Sequence, residues 1–353
     1  MGDPVQPASG RAERHDRALG TLLGLALGDA LGMPTQELTR VRAEQLLGRG
    51  PVLLDGPPDN PVCPLLPAGS VTDDTAQALL LARALVDGGG AVEPLAFARA
   101  LLRWEEQAVA AGSLDLLGPS TRRALAAVRA GADPRTTGRA GTTNGAAMRV
   151  APVGIATPAE PLAGLVDAVV AAGAVTHDTG TAHAGAAAVA ATVAAGVDGA
   201  TFGEALPLAV RAAREAGRRG HRPDAADVAG RIEAAVRLTR ACADVATADL
   251  AAVLDTVCAR IGTTLATQES VPAAFAVAAL SPDDAWRAGW LGARLGGDAD
   301  TIAAIAGACV GACTGAAALP ADAVARVVAV NALDLAALVD GLLSLRARPR
   351  GAP

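Results

Sequence analysis

From Leu19 onward apolar residues recur at helical spacing: Leu19, Leu22, Leu23, Ala26, Leu27, Ala30 and Leu31 share one face. The pattern predicts a first helix stopped by Gly32, with Pro34 two residues later. A second rhythm runs through the same stretch. Gly20, Gly24, Gly28 and Gly32 fall every four residues, stripping side chains from one side and admitting another helix or a ligand to the backbone. The same period predicts helices over 72–87, 94–110, 119–130, 160–174, 179–196, 202–217, 224–241, 248–266, 283–294, 299–318 and 332–346, joined by short connections rich in Gly, Pro, Asp and Thr. Sustained alternation of β-branched and aromatic residues is missing, so little or no sheet is expected. Residues 1–14 and 347–353 read as flexible tails on a single domain over 15–346, and 48–69, with six prolines, as its longest irregular loop.

Composition sharpens this. Of 353 residues 51% are hydrophobic, mostly Ala, Leu and Val, alongside 40 Gly, three Trp, three Phe and no Tyr. Such a core packs through small side chains at close backbone approach. All 30 basic residues are Arg against 36 acidic ones, a net charge of −6. Without Lys, Schiff-base chemistry and a Walker-type phosphate loop are excluded. An acidic chain so poor in aromatics is not expected to bind nucleic acid. Five cysteines at irregular spacing (Cys63, Cys242, Cys258, Cys309, Cys313) do not form a disulfide framework. The uncharged run Ile302–Leu319 consists mainly of Ala, Gly, Cys and Thr, which contribute little to insertion; it reads as a buried helix, not a membrane span. With a polar, charged N-terminus, the chain is expected to be cytoplasmic.

Polar residues cluster at four places. Ser70-Val71-Thr72-Asp73-Asp74-Thr75 precedes an apolar run, and Ser70 with Asp73 fits a capping box. Capping does not require two adjacent carboxylates, whose repulsion a divalent cation would relieve. Gly296-Gly297-Asp298-Ala299-Asp300-Thr301 repeats the theme at another helix start; its carboxylates serve either as caps or as oxygen ligands for a hard cation. If the two clusters converge, they suit a binuclear centre. Gly141-Thr142-Thr143-Asn144-Gly145 is either a plain turn or a set of bare N–H groups for phosphate and sugar oxygens, and Arg149 just beyond it either reaches a phosphate or pairs inward with a buried Asp. Thr176-His177-Asp178 opens another helix; His177 and His183, six apart, do not share a face, so His177 is placed at a pocket rim. Asp29 ends the first helix against the dipole and needs a buried partner.

In order, GDALG (28–32), SVTDDT (70–75), LGPSTRRAL (117–125), NGAAMRVAPVG (144–154), TH (176–177) and GGDADT (296–301) resemble the ADP-ribosylglycohydrolase family over roughly residues 17–320. The resemblance implies an all-α orthogonal bundle of a dozen or more helices with two divalent cations, Mg²⁺ or Mn²⁺, in a central cleft. By motif match Thr72, Asp73, Asp74, Asp298, Asp300 and Thr301 would be metal ligands. Gly118, Gly141, Thr142, Thr143, Asn144 and His177 would contact substrate. The implied reaction is cleavage of a glycosidic bond at ribose, with Asp73 or Asp74 assisting proton transfer. Where some members carry a second carboxylate, seven residues after the GDALG aspartate, this chain has Gln36, with Glu37 next to it; either Glu37 takes that catalytic role, or the enzyme manages without it, or the substrate differs from ADP-ribosylated protein. Thr142 stands where some relatives carry an aromatic that stacks on adenine. The substrate implied is an ADP-ribosylated protein or a small ribosyl metabolite. A non-catalytic ADP-ribose binder, and a hydrolase of a nucleoside-like metabolite or phosphoester, stand as alternatives.

Overall fold

The computed structural model describes residues 8–114, 117–221, 226–243 and 249–348. Among these residues there are seventeen α-helices and only isolated β-bridges. In chain order they are α1 (Ala8–Gly32), α2 (Arg40–Leu47), α3 (Asp73–Asp87), α4 (Pro94–Ala110), α5 (Pro119–Arg129), α6 (Gly145–Arg149), α7 (Ala151–Ala156), α8 (Leu162–Gly173), α9 (Gly180–Val197), α10 (Phe202–Ala216), α11 (Val228–Ala243), α12 (Leu250–Arg260), α13 (Thr267–Leu280), α14 (Ala285–Ala293), α15 (Ala299–Thr314), α16 (Ala321–Asn331) and α17 (Ala336–Arg346).

The four-residue glycine rhythm decides the packing. On α1, a Cβ at Gly20 would meet Gly315 C at 2.5 Å, one at Gly24 would meet Gly307 O at 2.3 Å, one at Gly28 Ala303 O at 2.1 Å, and one at Gly32 Asp300 Cα at 2.4 Å. The partner positions fall as the α1 positions rise, so the two helices run antiparallel with their backbones in contact. Gly307 and Gly311 answer from the α15 side, against Gly24 O and Gly20 O. A helix, not a ligand, uses the stripe. The C-terminal end of α1 is thereby laid beside the N-terminal end of α15, which brings Asp29 to the Asp298–Thr301 turn.

One continuous apolar cluster, built largely from Ala, Val and Leu, runs through most of the helices. Within it α9, apolar on nearly every side, is buried almost all round. The stretches Gly10–Thr35 and Gly180–Val197 are long and apolar enough to cross a membrane, yet an apolar 18-residue window in each is 94% buried inside this chain. Cys63, Cys258, Cys309 and Cys313 are free thiols.

Several sequence expectations need correction. Helix α1 begins at Ala8, so 8–14 belong to a helix and not to a tail; 1–7 and 349–353 lie outside the described residues. The helix expected over 248–266 ends at Arg260, because Gly262 takes φ +90°. Helix α13 went unanticipated because Pro272 lies inside it. Proline deprives the Gln268 carbonyl of its donor; Arg231 Nε supplies one instead, at 2.5 Å. The short α2 and the amphipathic α16 are further additions.

Candidate active site

Three helix ends meet at the site. Asp29, fully buried near the end of α1, accepts hydrogen bonds from the Thr72 amide (3.0 Å) and hydroxyl (2.8 Å) and from the Thr75 amide (3.1 Å) and hydroxyl (2.5 Å). These four donors answer the need for a partner against the α1 dipole. They also cap α3 from outside, since two are orphan amides of its first turn. The expected Ser70–Asp73 capping box does not form; Thr72 is the N-cap, accepting from the Asp74 amide. With Asp29 and Thr72 serving the helix end, the carboxylates of Asp73 and Asp74 are released from capping.

The second acidic motif behaves alike. Gly296 and Gly297 both take positive φ, +66° and +64°, in a turn where a Cβ would strike Leu38 O and Thr263 O. Glu37 N donates to Gly297 O (2.7 Å) and Gly297 N to Leu38 O (2.8 Å), fastening the 36–38 segment to the turn. Asp298 is the N-cap of α15 by position, yet its side chain makes no cap bond. It accepts from the Asn144 amide instead, while the same Asn144 Nδ2 lies 2.8 Å from Ser270 Oγ. Thr301 Oγ1 reaches Asp74 Oδ2 at 3.3 Å and joins the two motifs directly.

Five carboxylates, Asp29, Asp73, Asp74, Asp298 and Asp300, are thus gathered in the interior. Burial pushes Asp29 up to about 6 against its four hydrogen bonds, and Asp298 likewise to about 6. Asp74 is driven well above the usual carboxylate range by burial, then by Asp300, Asp29, Asp73 and Asp298. Its Oδ1 is buried without a hydrogen-bond partner. Among the described residues no three His, Cys, Asp or Glu side chains form a finished metal cage. The donor set is nevertheless all oxygen, carboxylate and hydroxyl, with uncompensated negative charge and an open acceptor, which fits hard divalent cations.

A cavity of about 230 Å³ opens beside this cluster. Glu37, Asp73, Gly118, Thr143, Asn144, Asp298, Asp300 and Thr301 line it, while Thr72 and Asp74 sit behind the wall. Glu37 is exposed and holds a left-handed φ of 60°, a strained place for a non-glycine residue. Three expected substrate-binding residues also lie off the lining. Thr142 O accepts from the Thr267 hydroxyl and Gly141 O from the Thr179 hydroxyl, so both anchor the loop from behind. His177 is completely buried beneath Gly145, not at a rim, between Thr143 Oγ1 (2.9 Å) and Thr176 Oγ1 (2.8 Å). Burial, and then Arg149, hold His177 well below the usual histidine range, so it is neutral.

Arg149 reaches neither a phosphate nor a carboxylate directly. Its guanidinium is buried over the Phe97 ring, 5.4 Å from the centroid, and donates to Gln77 Oε1 and Thr176 Oγ1. Sequence reasoning missed Gln77, although its i+4 spacing from Asp73 was the available signal. It also missed Arg122 and Leu265 in the lining, where Gln36 lies too. Arg122 stands in the LGPSTRRAL motif; Leu265 carried no sequence signal.

A profile of the ADP-ribosylglycohydrolase family matches residues 10–352. An uncharacterized protein of Escherichia coli strain K12, YegU, is 34% identical over 321 residues, covering 91% of this chain and 94% of that one. The ADP-ribosyl-[dinitrogen reductase] glycohydrolase of Rhodospirillum rubrum is 34% identical over 46% of this chain and 52% of its own length. The ADP-ribosylarginine hydrolase Tri1 of Pseudomonas putida strain GB-1 is 38% identical over 40% of this chain and 36% of its own. A solved ADP-ribosylglycohydrolase-related protein complex contains a chain that superposes with a TM-score of 0.67 at 28% identity, covering 95% of this chain and 99% of that one.

Proposed function

The chain belongs to the ADP-ribosylglycohydrolase family and is a glycosidase-type hydrolase; from that premise we propose that it cleaves the bond between the anomeric carbon of an ADP-ribosyl group and its acceptor, using two divalent cations, Mg²⁺ or Mn²⁺. The observation that carries this is Asp74 Oδ1, buried without a donor among four further carboxylates. Thr72, Asp73, Asp74, Asp298, Asp300 and Thr301 would hold the ions. Divalent cations in such a place polarise ribose oxygens and make water a better nucleophile.

The rest falls to the chain itself. Asn144 fixes the carboxylate of Asp298, and Gln77 that of Asp73. Gly118 and Thr143 border the space where ribose and phosphate oxygens would lie. Glu37 is the lining carboxylate outside the ligand set. Open to solvent, it takes a proton from the attacking water and passes one to the leaving group. Water's oxygen then bonds the anomeric carbon and the acceptor departs with a hydrogen. Gln36, an amide, carries no proton in this step.

ADP-ribosylated protein is the substrate favoured by the named relatives, which act on ADP-ribosylarginine or ADP-ribosylated dinitrogen reductase. A smaller ribosyl metabolite is favoured by one feature: no Phe, Tyr or Trp is among the residues lining the cavity. The test is release of ADP-ribose or ribose from a panel of linked substrates by Mn²⁺-loaded protein and by Asp300→Asn. Wild-type turnover, with at least a hundredfold loss in the variant, is expected. Equal turnover would overturn the metal assignment, and ADP-ribose binding without turnover would make the protein a binder.

A further inference from the structure

A chain of buried hydrogen bonds crosses the protein behind the cavity, touching its lining at both ends. Gln77 Nε2 donates to Asp73 Oδ2, and Gln77 Oε1 accepts from Arg149 Nη1 at 3.0 Å. Arg149 Nη2 donates to Thr176 Oγ1 at 2.5 Å. Thr176 Oγ1 lies 2.8 Å from His177 Nδ1, and His177 Nε2 lies 2.9 Å from Thr143 Oγ1. Gln77, Arg149, Thr176 and His177 are all buried, so a hydrogen stranded in the chain is costly; Arg149 Nε is one group that has no partner there.

Counting hydrogens fixes the direction. A carboxylate only accepts and a guanidinium only donates, so Gln77 must turn its NH₂ to Asp73 and its oxygen to Arg149. Arg149 fills one acceptor position of the Thr176 hydroxyl. The single hydrogen of that hydroxyl has one acceptor nearby, His177 Nδ1; a hydrogen on Nδ1 would leave it stranded. His177 is neutral and carries one ring hydrogen, which therefore sits on Nε2 and is given to Thr143 Oγ1. Thr143 already accepts, so its own hydrogen is free to leave the chain, and Thr143 lines the cavity.

We propose that Arg149, through Thr176 and His177, sets the polarity of the Thr143 hydroxyl, so that it donates a hydrogen bond to an acceptor oxygen of the bound ligand, a phosphoryl or sugar oxygen. Arg149, Thr176 and His177 are positioning residues in this scheme. The reading of the cavity as the ligand site is taken from the function proposed above; the polarity itself depends only on the hydrogen-bond chain.

The experiment therefore has two arms. The ¹⁵N spectrum of the imidazoles in wild-type protein, with four histidines to assign, is expected to show His177 as the Nε2–H tautomer. Thr176→Ser keeps that tautomer and Thr176→Val loses it. In the second arm ADP-ribose affinity falls about five- to twentyfold in Thr176→Val and in Thr143→Val, the loss of one hydrogen bond. Combining the two substitutions adds little, and Thr176→Ser stays near wild type. An Nδ1–H tautomer in the wild type, or equal losses in the Ser and Val variants, would overturn the proposal. Wild-type protein with the Nε2–H tautomer but no affinity for ADP-ribose would sink the ADP-ribosyl reading and leave the polarity standing.

Discussion

Two buried aspartates a few residues apart in space illustrate opposite uses of the same side chain. Asp29 has four donors and Asp74 Oδ1 has none. Asp29→Asn puts an NH₂ where amides and hydroxyls already donate, and is expected to cost roughly 2–4 kcal/mol. Asp74→Asn removes a charge repelled from four sides; in chelator it is expected to gain about 1–2 kcal/mol. The same variant is expected to lose most of the stabilisation that Mn²⁺ gives the wild type. Denaturant titrations with and without Mn²⁺ check both. A destabilised Asp74→Asn protein in chelator would mean that Oδ1 has a protein partner after all. The residue types of this cluster were readable from sequence, because paired carboxylates exceed what a helix cap requires. Their division of labour was not, since it depends on Asp29 arriving from another helix. His177 was misplaced for a similar reason: a motif names a residue without saying which side of a loop it occupies.

At the level of elements, the site is set by how closely α1 and α15 approach. A methyl on Gly24 would meet Gly307 O at 2.3 Å, and nothing flexible is there to yield. Gly24→Ala is expected to destabilise by about 3 kcal/mol and to weaken Mn²⁺ binding, although residue 24 touches no proposed ligand. Gly118→Ala supplies the contrast. Its φ is −62° and a Cβ there meets nothing within 4 Å, so stability should hold while ligand affinity changes. Calorimetry on both variants separates the cases, and a Gly24→Ala protein with unaltered metal affinity would refute the coupling. The glycine rhythm and the long helices were legible because period and capping are local signals. Helix α13 was not, because the acceptor left bare by Pro272 is satisfied by Arg231 from another helix.

For the molecule as a whole the governing quantity is buried charge. Five interior carboxylates have one buried guanidinium beside them, Arg149, which burial lowers to about 10 despite Asp73; the buried Arg294 and Arg346 are paired elsewhere, with Glu44 and Asp198. A carboxyl whose folded value is raised favours the fold at acid pH. Its contribution is complete below the unfolded value of 3.8 and is lost as pH rises through about 6 for Asp29 and Asp298. His177, depressed when folded, works the other way below 6.5, as one group against three. In chelator the protein is therefore expected to melt lower at pH 8 than at pH 5.5. Saturating Mn²⁺ should close the gap, and at a hundredfold excess over Kd should add about 2.7 kcal/mol for each ion bound at pH 8. A chelated protein whose melting temperature rises steadily across that range would contradict the charge balance.

The contact between α1 and α15 also limits how such a protein can drift. At Gly20, Gly24 and Gly28 the obstacle to a side chain is the opposite main chain, which every amino acid shares. No second substitution across the interface can make room. Descendants may exchange their acids, hydroxyls or loops and acquire new chemistry, but these small residues must persist. A four-residue glycine beat near the beginning of a chain, answered by another near its end, would therefore mark this architecture even in lineages whose reactive groups have gone.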